Sequence, residues 1–317
     1  MPGFATHYLF GVDAYKELTS RKISVHIARH HHAYALGLQG PDIFFYYLPS
    51  YLLHKENLGA LAHANKTGEF FGHLLDSRLL FTAKPKDLAI ADAYIIGFMG
   101  HYSLDSTAHP YVYAFTDYTP ENPKSNVEYF GKHAYFETEL DNVLIYRKKH
   151  IIPSRFKQSR TIALSPRERK VIAKMLNYTY RNTYPDYFSN DAIMKSAPYW
   201  MLTFLRVMND PSGQKKVILR WIEQQLIHHA YLSPMLPSDR YHFISDPLNL
   251  KHKKWTHPWT GESSCYGFMD LYKKALHLYV NRINEYEQLL ETGFSEAGRH
   301  KLCQSYGNLS FLSGQPL

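Results

Sequence analysis

Two short stretches hold most of the residues in this chain that could do chemistry: His101-Tyr-Ser-Leu-Asp105-Ser-Thr-Ala-His109-Pro110 and His133-Ala-Tyr-Phe-Glu137. Together they supply three imidazoles and two carboxylates. Positions i and i+4 share one face of a helix. His101 and Asp105 should therefore point the same way from one helix, and His133 and Glu137 from another. A residue that precedes proline is pushed out of helical geometry, so the first helix is expected to end at His109. Nitrogen and oxygen donors in this combination suit zinc. The lead-in at 89–100, AIADAYIIGFMG, is apolar and places His101 in a buried helix. A lone buried histidine is often just a satisfied core residue, but buried ionisable groups need partners. Five of them at helical spacing point to a metal site.

Further candidate ligands lie upstream: His7, Asp42, His54, His63 and His73. Asp42 follows Gly40-Pro41 in a sharp turn that can aim its carboxylate inward; the competing reading is a helix N-cap. The residues leave His54 and His63 open, with His63 preferred because it leads into an apolar helical run at 67–80. His73 is read as a non-ligand. The run His30-His31-His32 is read as surface, since adjacent helical residues do not share a face.

The elements that must position these groups are helical. Amphipathic helices are expected over 22–36, 58–80, 87–104, 127–149, 166–180, 190–208, 212–230 and 265–291. Start signals stand at Ser165-Pro166, at Asn190-Asp191 and at Pro211-Ser212. Alternating strand patterns are scarce. Residues 116–126 read as a loop, and 231–264 as a long irregular connection of the kind that is often functional. The fold class expected is all-α, as a single domain over 1–317: a metal-ligand core in 1–150 and a helical and irregular part in 151–317.

Composition narrows the function. Two cysteines exclude both a disulfide framework and a cysteine-rich zinc site, so a metal must be held by His, Asp and Glu; the nineteen histidines suit that. The net charge of +8 favours phosphate-bearing partners, without the long basic blocks of nucleic-acid tails. Many of the aromatic residues, which include 26 tyrosines, are expected to be half-buried, ring inward and hydroxyl toward a partner. No signal peptide and no membrane-spanning run is visible, which gives a cytoplasmic expectation.

The chain resembles the bacterial zinc-dependent phospholipase C family, whose all-helical fold is shared with the single-strand-specific zinc nucleases. The residues that carry the resemblance are Thr6-His7, Gly40-Pro41-Asp42, His63 with Phe70-Phe71 after it, His101-x3-Asp105-x3-His109-Pro110 and His133-x3-Glu137. It implies two or three zinc ions. Asp42, His63, His101 and Asp105 would hold one, and His109, His133 and Glu137 a second. Asp105 would bridge to a third, shared with His7. It further implies that Asp42 orients or deprotonates the attacking water. Secreted members complete the third site with an N-terminal tryptophan; this chain begins Met1-Pro2 and has no tryptophan before Trp200, so that site is expected to differ.

The function expected is a zinc-dependent phosphodiesterase of phospholipase C type, in which metal-activated water hydrolyses a phospholipid or a related small phosphoester. Contact with a membrane surface is part of that expectation. The alternatives are a single-strand-specific nuclease on the same cluster, which would stack bases on aromatic side chains, and a non-catalytic zinc-stabilised binding protein with a sealed site.

Overall fold

The apolar run that leads to His101 forms the centre of the molecule. In the computed structural model, which describes residues 3–52, 57–120, 127–187, 191–237, 239 and 246–317, every residue from Ile90 to Asp105 is buried. A helix that is apolar all round has no solvent face and must be enclosed by others.

The α-helices among the described residues are α1 (Phe4–Glu17), α2 (Arg21–Arg29), α3 (His31–Gly37), α4 (Leu48–Leu52), α5 (Leu58–Ala64), α6 (Thr67–Ser77), α7 (Pro85–Ala114), α8 (Val127–Lys149), α9 (Gln158–Thr161), α10 (Pro166–Thr183), α11 (Asp191–Val207), α12 (Gln214–Leu226), α13 (Phe268–Glu291) and α14 (Glu296–Tyr306). Short 3-10 turns occupy Gly40–Phe44, Arg78–Phe81, Pro153–Arg155 and Ser233–Met235. The sheet is a single two-stranded antiparallel pair, β1 (Trp255–Thr256) with β2 (Ser263–Ser264), in which Trp255 faces Ser264. The fold is all-α. Helices α1, α2, α3, α8, α10 and α13 all pack on α7.

Local signals explain several elements. Ser165 and Glu168 form a reciprocal capping box at the start of α10, with Pro166 at the first helical position. The expected 58–80 helix is two helices, because Asn65 is extended and Lys66 adopts a left-handed φ of 53°. The expected 22–36 helix likewise breaks at His30. Several tyrosines, among them Tyr94, Tyr102, Tyr111, Tyr279 and Tyr286, are fully buried rather than half-buried, whereas others such as Tyr146 and Tyr266 are exposed. Tyr279 donates to the Ile96 carbonyl at 2.8 Å, Tyr111 to that of Pro247 at 2.7 Å, and Tyr286 to Asp92 at 2.7 Å.

The expected end of the central helix at His109 is corrected: α7 runs through Pro110 to Ala114. Proline lacks the N–H that would serve the Ser106 carbonyl, at a cost of about 3 kcal/mol. Burial of Ala108, His109, Pro110, Tyr111 and Val112 outweighs it. The C-terminal tail passes close to the same carbonyl. A Cβ on Gly314, whose φ is +64°, would lie 2.3 Å from the Ser106 oxygen, so only glycine fits there. His54, the cap expected at Asn190 and residues 121–126 of the expected loop lie outside the described residues.

Candidate metal centre

Because α7 continues through Pro110, His101, Asp105 and His109 fall on successive turns of one unbroken face. Three other elements bring ligand-type atoms to that face: α1 with His7, the Gly40–Phe44 turn with Asp42, and the last turn of α5 with His63. Helix α8 adds His133 and Glu137. Three groups result: His7, His101 and Asp105; Asp42, His63 and His101; and His109, His133 and Glu137. Within each, one atom per residue lies within 4.8 Å of the others. All eight residues read from the sequence as ligands are therefore gathered. His73 is in none of these groups; its Nδ1 lies 3.0 Å from Thr183 Oγ1.

Asp105 faces two ways. Its Oδ1 lies 3.1 Å from His7 Nε2, while its Oδ2 lies 3.3 Å from His101 Nε2 and 3.6 Å from His63 Nε2. Asp42 Oδ1 lies 3.2 Å from His63 Nε2 and 3.7 Å from His101 Nε2. In the third group His133 Nε2 is 2.9 Å from Glu137 Oε1 and 3.4 Å from His109 Nε2.

The orientation of the rings fits a cation. His63 Nδ1 bonds the Gly59 carbonyl at 2.7 Å, His101 Nδ1 that of Leu38 at 3.2 Å, and His109 Nδ1 that of Phe311 at 3.0 Å. A backbone carbonyl at Nδ1 fixes the tautomer that leaves the Nε2 lone pair pointing away, into the cluster. There, both nitrogens of His7, Nε2 of His63 and of His101, Oδ1 of Asp42 and both oxygens of Asp105 are buried without an aligned hydrogen bond. Each buried polar atom left so costs about 1–3 kcal/mol. Imidazole nitrogens and carboxylate oxygens converging in this way are the donor set of zinc.

Burial and charge set the protonation of the cluster. Burial raises Asp42 to about 6, against the pull of His63. Burial works against a charged His63, but the facing carboxylates of Asp105 and Asp42 overcome it and hold the imidazole at about 9. Burial also opposes ionisation of Asp105, yet His101 and His7 beside it keep its carboxyl well below the usual range. Burial lowers His101, His109 and His133, favouring the neutral imidazole that binds metal.

Several supports hold the cluster in place, and among them only the Gly40-Pro41 turn has a local sequence signal. Gly40 has a φ of +50°, and a Cβ there would sit 2.2 Å from the His101 ring, so glycine is what lets the Asp42 turn close on α7. Asp141, one helical turn beyond Glu137, accepts from the backbone N–H groups of Ala5 and Thr6 at 2.9 and 2.8 Å and from Thr6 Oγ1 at 2.7 Å. It caps the first turn of α1 from another helix and so fixes His7. Phe311, from the tail, donates its N–H to the His63 carbonyl at 3.2 Å and sets its ring, tilted, against those of His63 and His101, with centroids 4.9 and 5.7 Å away. The β1–β2 hairpin, inside the segment expected to be irregular, lays Trp259 against Tyr113, which in turn packs on His109 and His133.

The cluster is closed at one end and open at the other. His7, His63, His101 and Asp105 are sealed, whereas the side chains of His133 and Glu137 are 14% and 15% exposed. Glu137 and Asp141 line a cavity of about 200 Å³, walled on its other sides by Tyr46, Phe156, Phe204 and Met235. A catalytic zinc site differs from a structural one in keeping a position open to substrate, and Glu137 is the gathered residue that lines this cavity.

The family model for zinc dependent phospholipase C matches residues 6–200, more than half of the chain, and this span includes all eight gathered residues. No curated protein and no solved structure matches the chain.

Proposed function

The chain belongs to the zinc-dependent phospholipase C family, and on that premise we propose that it hydrolyses the phosphodiester of a phospholipid or a related phosphoester in the cavity beside Glu137. At the level of the family the chemistry is zinc-dependent hydrolysis of phosphoester bonds. Bound zinc supplies Lewis acidity, which brings the pKa of water toward neutrality and offsets charge on the phosphoryl oxygens. In this reading the three groups would hold two or three ions: Asp42, His63 and His101 would hold one, His109, His133 and Glu137 another, and Asp105 would join the first group to the position it shares with His7. Asp42 orients the attacking water and accepts its proton. The apolar wall of Phe156, Phe204 and Met235 receives the glycerol and acyl part of the substrate, and excludes bulk water from the reacting ester.

The observation that carries the proposal is the two-way carboxylate of Asp105, which places oxygens toward two adjoining histidine groups. A side-by-side assay on phosphatidylcholine and on single-stranded DNA tests the substrate. Release of diacylglycerol without DNA cleavage is expected; DNA cleavage alone would move the chain to the nuclease reading.

A further inference from the structure

Helix α12, outside the region matched by the family, is built inside out. Its one acidic residue, Glu223, is turned inward, where it accepts from the backbone N–H of Leu232 and Ser233 and from Ser233 Oγ. Lys216 also turns inward, donating to the Leu236 carbonyl at 3.1 Å, with Nζ 5.6 Å from the centre of the Tyr135 ring. The apolar residues face out. Val217, Ile218, Trp221 and Leu226 are 67%, 58%, 65% and 74% exposed, and Ile222 and Ile227 join them. Spacings of three and four residues put Val217, Ile218, Trp221 and Ile222 on one outward stripe. A stripe of this size is not left to water without a use.

We propose that α12 docks the protein on an anionic phospholipid surface, its outward face immersed at the boundary of headgroups and acyl chains. The inference rests on the phospholipid reading of the site. Three observations choose a lipid surface over a second copy of the chain. Exposed Lys215 and Arg220 flank the stripe with positive charge, the one acidic residue of α12 is turned inward, and the whole chain is +8, which suits anionic lipid and repels another copy. A tryptophan lies at the centre of the stripe, as in helices that lie in the interface plane. The helix is also continuous with the cavity: Lys215 donates to the Val207 and Asn209 carbonyls, and Lys216 to that of Leu236, so α12 is bonded to the segments that carry Met208, Asn209, Met235 and Pro237 of the cavity wall. Docking through this face couples the lipid-bound helix to the segments that wall the cavity lined by Glu137.

The test uses the zinc-loaded full chain and vesicles of phosphatidylcholine with phosphatidylglycerol. The variant Ile218→Gln/Trp221→Gln/Leu226→Gln changes only exposed side chains, and an unaltered melting temperature checks its fold. Vesicle affinity should fall at least about tenfold, and hydrolysis of vesicle lipid with it. Zinc content and hydrolysis of a dissolved short-chain phosphatidylcholine should not change. Arg220→Gln should weaken binding roughly fivefold on vesicles containing phosphatidylglycerol and much less on pure phosphatidylcholine. Unchanged vesicle binding in the triple variant overturns the proposal, as does a wild-type dimer in sedimentation that the variant dissolves. Vesicle binding that the variant loses, in a protein inert toward both lipid substrates, supports docking while removing the enzymatic reading.

Discussion

The Phe311 carbonyl accepts a hydrogen bond from His109 Nδ1 at 3.0 Å, across 202 positions of sequence. The same residue donates its N–H to the His63 carbonyl and sets its ring against His63 and His101. One residue of the C-terminal tail thus contacts histidines that belong to all three ligand groups. Phe311→Ala keeps the backbone carbonyl and N–H but removes the ring beside His63 and His101, and should lower stability by about 3 kcal/mol, as for a buried aromatic, and loosen zinc by about tenfold through those two less firmly held imidazoles. Urea unfolding and a chelator competition measure the two effects; normal zinc affinity in a destabilised variant would make Phe311 a packing residue only.

Asp141 holds the first turn of α1, and through it His7. Asp141→Ala strands the N–H groups of Ala5 and Thr6 and the Thr6 hydroxyl, and should cost about 2–3 kcal/mol. Zinc at the His7 group should weaken more than zinc at the His109 group. Metal analysis across a chelator series would show this as early loss of one ion; uniform loss would detach Asp141 from the site.

Asp105→Asn replaces one carboxylate oxygen by an amide nitrogen and should lower activity by about a hundredfold or more, together with zinc content. Full zinc and normal activity in this variant would refute the bridging role. Asp13 is the control: it bonds Tyr272 at 2.8 Å, Lys16 at 3.1 Å and Lys148, all outside the cluster. Asp13→Asn should leave zinc and activity unchanged.

The same Asp13 gives a pH signature. Burial pushes its carboxyl up, but Lys148 and Tyr272 outweigh burial and hold it below the usual range. A depressed folded-state value means that its contribution is present above the unfolded carboxylate pKa of about 4 and is lost as pH falls through the folded value. Asp13→Asn should therefore cost about 1–2 kcal/mol at neutral pH. The gap from wild type should narrow as the pH drops below about 4. Urea unfolding over that range measures it; a constant gap would contradict the assignment.

His73→Ala should leave zinc stoichiometry unchanged and cost about 1 kcal/mol for the bond to Thr183. Loss of an ion, by metal analysis, would bring His73 into the centre.

Much of this was legible in the residues, and what was not has a physical reason. Helix α8 runs over the expected 127–149, and α10 announces itself by apolar spacing and a local capping box. Helix α1 did not, because its cap is Asp141, far away in sequence, and Gly3 offers no side chain. Helix α14 was missed because only Leu302 and Tyr306 anchor it, too thin a stripe to read. The rule for residues before proline misplaced the end of α7, where burial on both sides of Pro110 overrode it. At the centre, ligand types and i,i+4 spacings carried His101, Asp105, His109, His133 and Glu137, whereas His7, Asp42 and His63 joined the ligand set through the family resemblance. The carbonyls of Leu38, Gly59 and Phe311 that aim the rings are backbone groups and leave no mark in a sequence.

The most direct test is the zinc content of the wild-type chain purified without chelators, measured by inductively coupled plasma spectrometry. Two or three ions per chain are expected. A chain that contains no zinc and takes up none when zinc is supplied would contradict the account.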